Sequence, residues 1–104
     1  MIKKETEELI KKAIETETEN ATKTYGEKYN SIHEGYAVLK EEIEEVTEPV
    51  LNIQAHFENA WNYIRDDDKK SFIAAAEVIQ DYMEHLIAEA CQCCAVINKI
   101  KRGK

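Results

Sequence analysis

Proline occurs once in this chain and glycine three times, so the two residues that most reliably end a helix are nearly missing. β-Branched residues do not gather into the alternating runs of a sheet, and the two shortages together imply an all-α protein. No apolar run approaches the ~18–20 residues of a membrane span, and Met1-Ile2-Lys3-Lys4-Glu5 carries no signal-peptide apolar core. Three cysteines, an odd number without a secretory signal, point to a reducing cytoplasm. Positive charge is short as well: 14 Lys and Arg stand against 21 Asp and Glu, for a net charge of −7. Phosphodiester backbones are bound by basic surfaces, so a nucleic-acid partner is excluded. The main basic run, Lys99, Lys101, Arg102 and Lys104, falls at the C-terminal end of a helix, where positive charge complements the helix dipole. A chain of 104 residues is one domain, 1–104, and small enough that association with a second copy is expected.

What the chain has in quantity is helical periodicity. Residues 5 to 19 form a first helix with a short apolar face of Leu9, Ile10, Ala13 and Ile14. The Glu- and Thr-rich stretch from Glu15 to Thr24 weakens its end, and residues 20 to 30, with Asn20, Gly26 and Asn30, read as a loop. Ser31-Ile32-His33-Glu34 is then a capping box, in which the serine caps one backbone N–H and the glutamate reaches back to another. Behind it, Tyr36, Leu39, Ile43, Val46, Val50, Ile53, Phe57, Ala60 and Ile64 recur three and four apart, a coiled-coil-like seam. Pro49 falls inside this helix and predicts a kink near Glu45, while the unbroken phase of the seam predicts a bend and not two helices. Arg65-Asp66-Asp67-Asp68-Lys69-Lys70 is the polar break, with three aspartates able to cap the helix after it. That next helix repeats the rhythm in Phe72, Ala76, Ile79, Met83, Leu86, Ala90, Cys93, Ile97 and Ile100. Two helices of roughly 48 Å each at 1.5 Å per residue, joined by a tight turn, pack as an antiparallel hairpin. The short first helix cannot close both seams, so a dimer with a four-helix-bundle core is the expected completion.

Within the second helix, Lys40-Glu41-Glu42-Ile43-Glu44-Glu45-Val46 sets acids one turn apart. Glu42 and Glu45 project to the same side and repel there, unless a hard cation sits between them. A solvated acidic face is the alternative reading of this stretch. Folding the hairpin about Asp67 places residue n opposite 134 − n, so Glu42 faces Gln92 and Glu45 faces Glu89. Three carboxylates and an amide oxygen between packed helices are the ligand type Mg²⁺ and Mn²⁺ prefer. His85 precedes Glu89 by one turn and shares its side, in position to contact a substrate or a water; a solvated histidine is the other reading. Asp81 lies on the same stripe, too far along to join. His33 is a local hydrogen-bonder at the helix entry, and His56 receives no role. Cys91, Cys93 and Cys94 lie on one helix without the paired spacing of a zinc site, and read as small packing residues. Trp61, Tyr63 and Phe57 are core or interface aromatics near the hairpin tip.

The segment Asn30-Ser31-Ile32-His33-Glu34-Gly35-Tyr36-Ala37-Val38-Leu39-Lys40-Glu41-Glu42-Ile43-Glu44-Glu45 resembles the all-α nucleoside triphosphate pyrophosphohydrolases of the MazG type. It is most similar to the small MazG-like proteins of phages and prophages of Gram-positive bacteria. That family's pattern is E-E-x-x-E on one helix and E-x-x-D on the next. Glu41, Glu42 and Glu45 match the first half, and Glu89-Ala90-Cys91-Gln92 matches the second except at its last position. The resemblance covers residues 30 to 46 well and 84 to 100 less fully, and the spacing between the halves is longer than usual. It implies a Mg²⁺-dependent enzyme, with Mn²⁺ as a substitute, cleaving a nucleoside triphosphate between its α and β phosphates in the cytoplasm of a bacterium or a phage-infected host. Glu42, Glu45, Glu89 and Gln92 would then be metal ligands, Glu41 a candidate base, and His85 a substrate contact. Gln92 stands where the family has aspartate; an amide oxygen can ligate a hard cation but cannot act as a base. Two other readings stay open: a nucleotide-binding or sequestering protein without turnover, and a purely structural helical interaction protein.

Overall fold

The computed structural model describes residues 1–103, which form three α-helices: α1 (Lys4–Tyr25), α2 (Ile32–Arg65) and α3 (Lys69–Lys101). Among the described residues there is no strand, and no helix is long and apolar enough to cross a membrane. α2 and α3 are the antiparallel hairpin; α1 packs along α3 and not against α2.

The local signals explain the boundaries. Ser31 accepts a hydrogen bond from the Glu34 N–H at 3.1 Å, and the Glu34 carboxylate takes bonds from the backbone N–H and side-chain amide of Asn30. The glutamate thus reaches one residue further back than a standard capping box. At the tip, Asp67 adopts φ 53°, a left-handed conformation aspartate tolerates, and Asp68 caps α3 by accepting from the Ser71 N–H at 3.0 Å. α2 runs without interruption through Pro49, which is fully buried.

α1 is longer than its composition suggests: it runs through residues 20 to 25, expected to be loop, and ends at Gly26 with φ 87°. Threonine is a poor helix former, but here tertiary bonds override propensity. Thr18 is buried and accepts from the Asn98 amide at 3.1 Å, while Thr22 accepts from Arg102 at 2.7 Å. The expected apolar face of α1 is not what docks: Leu9, Ile10 and Ala13 are exposed, and Ile14 is half-buried.

The hairpin seam also differs from expectation, in a systematic way. Along the hairpin, α2 buries or half-buries Gly35, Leu39, Glu42, Val46, Pro49, Ile53, His56, Ala60 and Tyr63, with Val38, Val50 and Asn52 half-buried beside them. On α3 the corresponding column is Ser71, Ala75, Ile79, Tyr82, Leu86, Glu89, Cys93 and Val96, and Ala90, Cys91, Cys94, Ala95, Asn98 and Lys99 are covered as well. The 3-4 rhythm is kept, but every second position is shifted one residue back. Tyr36, Ile43, Phe57 and Ile64 are consequently 50% exposed or more, and Phe72, Met83 and Ile97 are exposed on α3. Each residue turns a helix by about 100°, and the helices are antiparallel, so the same shift on both swings the displaced apolar columns to one side of the hairpin. Trp61 and Ile87, also exposed, join that side.

The molecule is therefore long and thinly packed. Its radius of gyration is 17.7 Å, against about 13 Å for a compact chain of this length. Its accessible surface is 8250 Å², whereas a compact monomer of 12.0 kDa exposes about 6,000 Å².

Candidate functional site

The hairpin register is set by the three-residue link. Asp66, Asp67 and Asp68 donate back to Asn62, Ile64 and Tyr63, which fixes where α3 begins relative to α2. His56 then stacks on Tyr82 across the interface, with ring centroids 5.5 Å apart. Halfway along, the same register brings Glu42, Glu45 and Glu89 together: one oxygen from each lies within 4.8 Å of the others. Glu42 and Glu89 are half-buried, Glu45 is exposed at the rim.

The electrostatics of this trio are unfavourable as it stands. Burial pushes the Glu42 carboxyl above its ordinary range, and Glu45, Glu89 and Glu41 push it further. Glu45 is raised too, by lost hydration and then by sharing a hydrogen bond with Glu89 and by repulsion from it. One oxygen each of Glu42 and Glu89 is inaccessible and lacks a hydrogen-bond partner, which costs on the order of 1–3 kcal/mol apiece, more where charge is carried. Hard oxygens that converge, repel and lack donors suit a divalent cation. The residues present therefore fit such an ion.

Other sequence candidates divide. Glu41 is exposed and lies outside the convergent trio, although its charge acts on both Glu42 and Glu45. Gln92 lines the same cleft as Glu42. His85 is largely exposed, with its Nε2 3.7 Å from the Glu89 carboxylate. Cys91 is buried, Cys93 and Cys94 are half-buried, and all three are free. Burial raises the Cys91 and Cys93 thiols, so they stay protonated, as packing residues should.

Beside the trio opens a cleft of about 680 Å³ between α1, the start of α2 and the end of α3. Its wall holds Tyr25, Tyr29, Glu34, Glu42, Gln92 and Lys99. Tyr29 rests near Gly35, where an added Cβ would meet the Tyr29 ring at 3.4 Å and Ile100 at 3.3 Å. Burial, then Glu42 and Glu34, push the Tyr29 hydroxyl upward, so it remains a neutral donor. Tyr29 and Lys99 were not legible as site residues: one reads as loop, the other as dipole compensation. The available signal was spacing, because Lys99 lies two helical turns beyond Gln92. No protein-family model, curated protein or solved structure matches this chain.

Proposed function

We propose that the chain is a Mg²⁺-dependent nucleoside triphosphate pyrophosphohydrolase of the MazG type, active as a dimer. The observation that carries this reading is the convergence of Glu42, Glu45 and Glu89 within 4.8 Å, with two buried oxygens left without partners. Those three carboxylates would hold the cation, and Gln92 would add a neutral oxygen from the same cleft. When bound, Mg²⁺ supplies neutralisation of phosphate charge and a more acidic water. The chain's own contribution is positional. α2 and α3 fix the carboxylates, the α1 side of the cleft encloses the rest of the ligand, and Glu41 at the rim is the carboxylate left to accept a proton. His85, beside Glu89, would orient substrate or water.

Dimerisation is supported by surface area. The excess over a compact monomer is about 2,000 Å², within the about 1,000–2,500 Å² that a protomer covers in an obligate dimer. The displaced apolar columns of α2 and α3 supply a face of the right kind, and a second copy would complete a four-helix core.

Incubation of purified protein with Mg²⁺ and a panel of nucleoside triphosphates tests the activity. Release of pyrophosphate, lost in Glu45→Gln, is expected; no release from any nucleotide rejects the enzyme. One observation favours a second reading, a nucleotide-binding protein without turnover: Gln92 cannot serve as a base, and Glu41 stands outside the trio. Tight binding without hydrolysis, with activity appearing in Gln92→Asp, would select it.

A further inference from the structure

Lys99 is 8% exposed, and among the described residues no carboxylate lies within ion-pair distance of it. Its ammonium donates to the Tyr25 carbonyl at 3.3 Å and sits 4.3 Å from the centroid of the Tyr29 ring. The carbonyl belongs to the last turn of α1, so part of the arrangement is a helix cap, with positive charge where the dipole favours it. A cap does not account for the whole of it. An ammonium carries three donors and the carbonyl takes one. The ring face stabilises the charge without neutralising it. A cation this buried with no counter-anion at ion-pair distance among the described residues is costly, and the space it borders is the cleft whose wall also carries Glu17, Glu34, Glu42 and Gln92.

The spacing says what kind of anion fits. Lys99 is seven residues beyond Gln92, about 10 Å along α3 and on the same side of it. Among the described lining residues Lys99 is the basic group, two helical turns beyond Gln92, while Glu17, Glu34 and Glu42 are the acidic ones, Glu42 alone of them belonging to the convergent trio. We propose that Lys99, held in place by the Tyr29 ring, binds the far end of an extended polyphosphate whose near end lies at Glu42, Glu45 and Glu89, so that the cleft selects chain length. The inference rests on the metal reading above and adds the determinant of triphosphate over monophosphate. A nucleoside triphosphate and free inorganic polyphosphate share this chemistry.

Calorimetric titration of the full chain decides it, with Mn²⁺ alone, then with inorganic tripolyphosphate, orthophosphate or ATP, each with and without Mn²⁺. Wild type should bind tripolyphosphate with Mn²⁺ at least tenfold more tightly than orthophosphate. Lys99→Met should abolish that preference while leaving Mn²⁺ affinity and orthophosphate binding unchanged. Tyr29→Leu should weaken tripolyphosphate binding as well, and Tyr29→Phe, which keeps the ring, should not. A merely structural cap would lower the melting temperature of Lys99→Met and leave the preference for chain length in place, which overturns the proposal. Should Lys99→Met fail to fold, equal tripolyphosphate affinity in Tyr29→Leu and Tyr29→Phe overturns it. Tighter binding of ATP than of tripolyphosphate identifies the nucleotide as the source; the reverse identifies the free polyanion. Failure of Mn²⁺ alone to bind removes the metal reading. Tripolyphosphate binding that still depends on Lys99 without Mn²⁺ would then uphold the lysine's part, and its absence would end that as well.

Discussion

The inward and outward columns of α2 differ in the opposite sense from a simple core. Facing α3 are Gly35, Glu42, Pro49, His56 and Tyr63, interleaved with Leu39, Val46, Ile53 and Ala60. One residue along, facing away, are Tyr36, Ile43, Phe57 and Ile64. A lone hairpin gains nothing from placing a glutamate inside and a phenylalanine outside, since burying a phenylalanine contributes about 1.5–3 kcal/mol. The difference is intelligible if the inner column serves a site and the outer column meets a second surface.

The largest expected effect comes from breaking the outer column. Ile43→Glu with Phe57→Glu should convert a dimer to a monomer by sedimentation or light scattering. Dissociation should become at least a hundredfold easier, about 3 kcal/mol. A protein that is monomeric before the change removes the outer half of the comparison.

The inner column should respond to cations and to pH. Glu42 and Glu45 have folded pKa values above the ordinary value of 4.5, so the folded state holds more protons than the unfolded state above that pH. Stability of the metal-free protein must then fall as pH rises from about 4.5 through the raised values. Mn²⁺ at a hundred times its dissociation constant should restore about 2.7 kcal/mol near neutral pH, and less at pH 5, because protons compete with the cation for the same oxygens. Melting curves with and without Mn²⁺ at both pH values check this; a cation effect that does not grow with pH contradicts it.

Next in size, Glu89→Gln removes one of the repelling charges and provides an N–H donor to its neighbours. The metal-free protein should gain on the order of 1 kcal/mol in chemical denaturation, while its cation-dependent stabilisation disappears. A loss of stability in the absence of metal would show that the trio is not strained. The smallest effect is a control outside both columns: Glu44→Gln breaks the exposed Lys40–Glu44 pair and should cost only about 0.3–0.5 kcal/mol.

Much of this was legible in the residues. The Ser31 cap, the aspartate turn and the 3-4 rhythm predicted the hairpin, and a turn centred on Asp67 put Glu45 opposite Glu89. Which of two adjacent columns faced inward was not legible. Positions 42 and 43 border the same seam, and a rule that places apolar residues inside selects Ile43, whose burial requires a partner surface outside the chain. The last turn and a half of α1 was hidden for a related reason. Its support comes from Arg102, which donates to the Thr22 hydroxyl, and from Asn98, which donates to Thr18 just before it, both partners 80 residues away. Lys99 carried no local mark at all; its role emerges only where Tyr25 and Tyr29 meet the end of α3.

The most direct measurement of the central claim is Mn²⁺ titration monitored by electron paramagnetic resonance, on wild type and on Glu89→Gln. Wild type should bind one Mn²⁺ per chain with a saturable loss of the free-ion signal, and Glu89→Gln should lose that binding while keeping its helical content. Equal, unsaturable binding by the two proteins would mean that Glu42, Glu45 and Glu89 are a solvated acidic face and no metal centre.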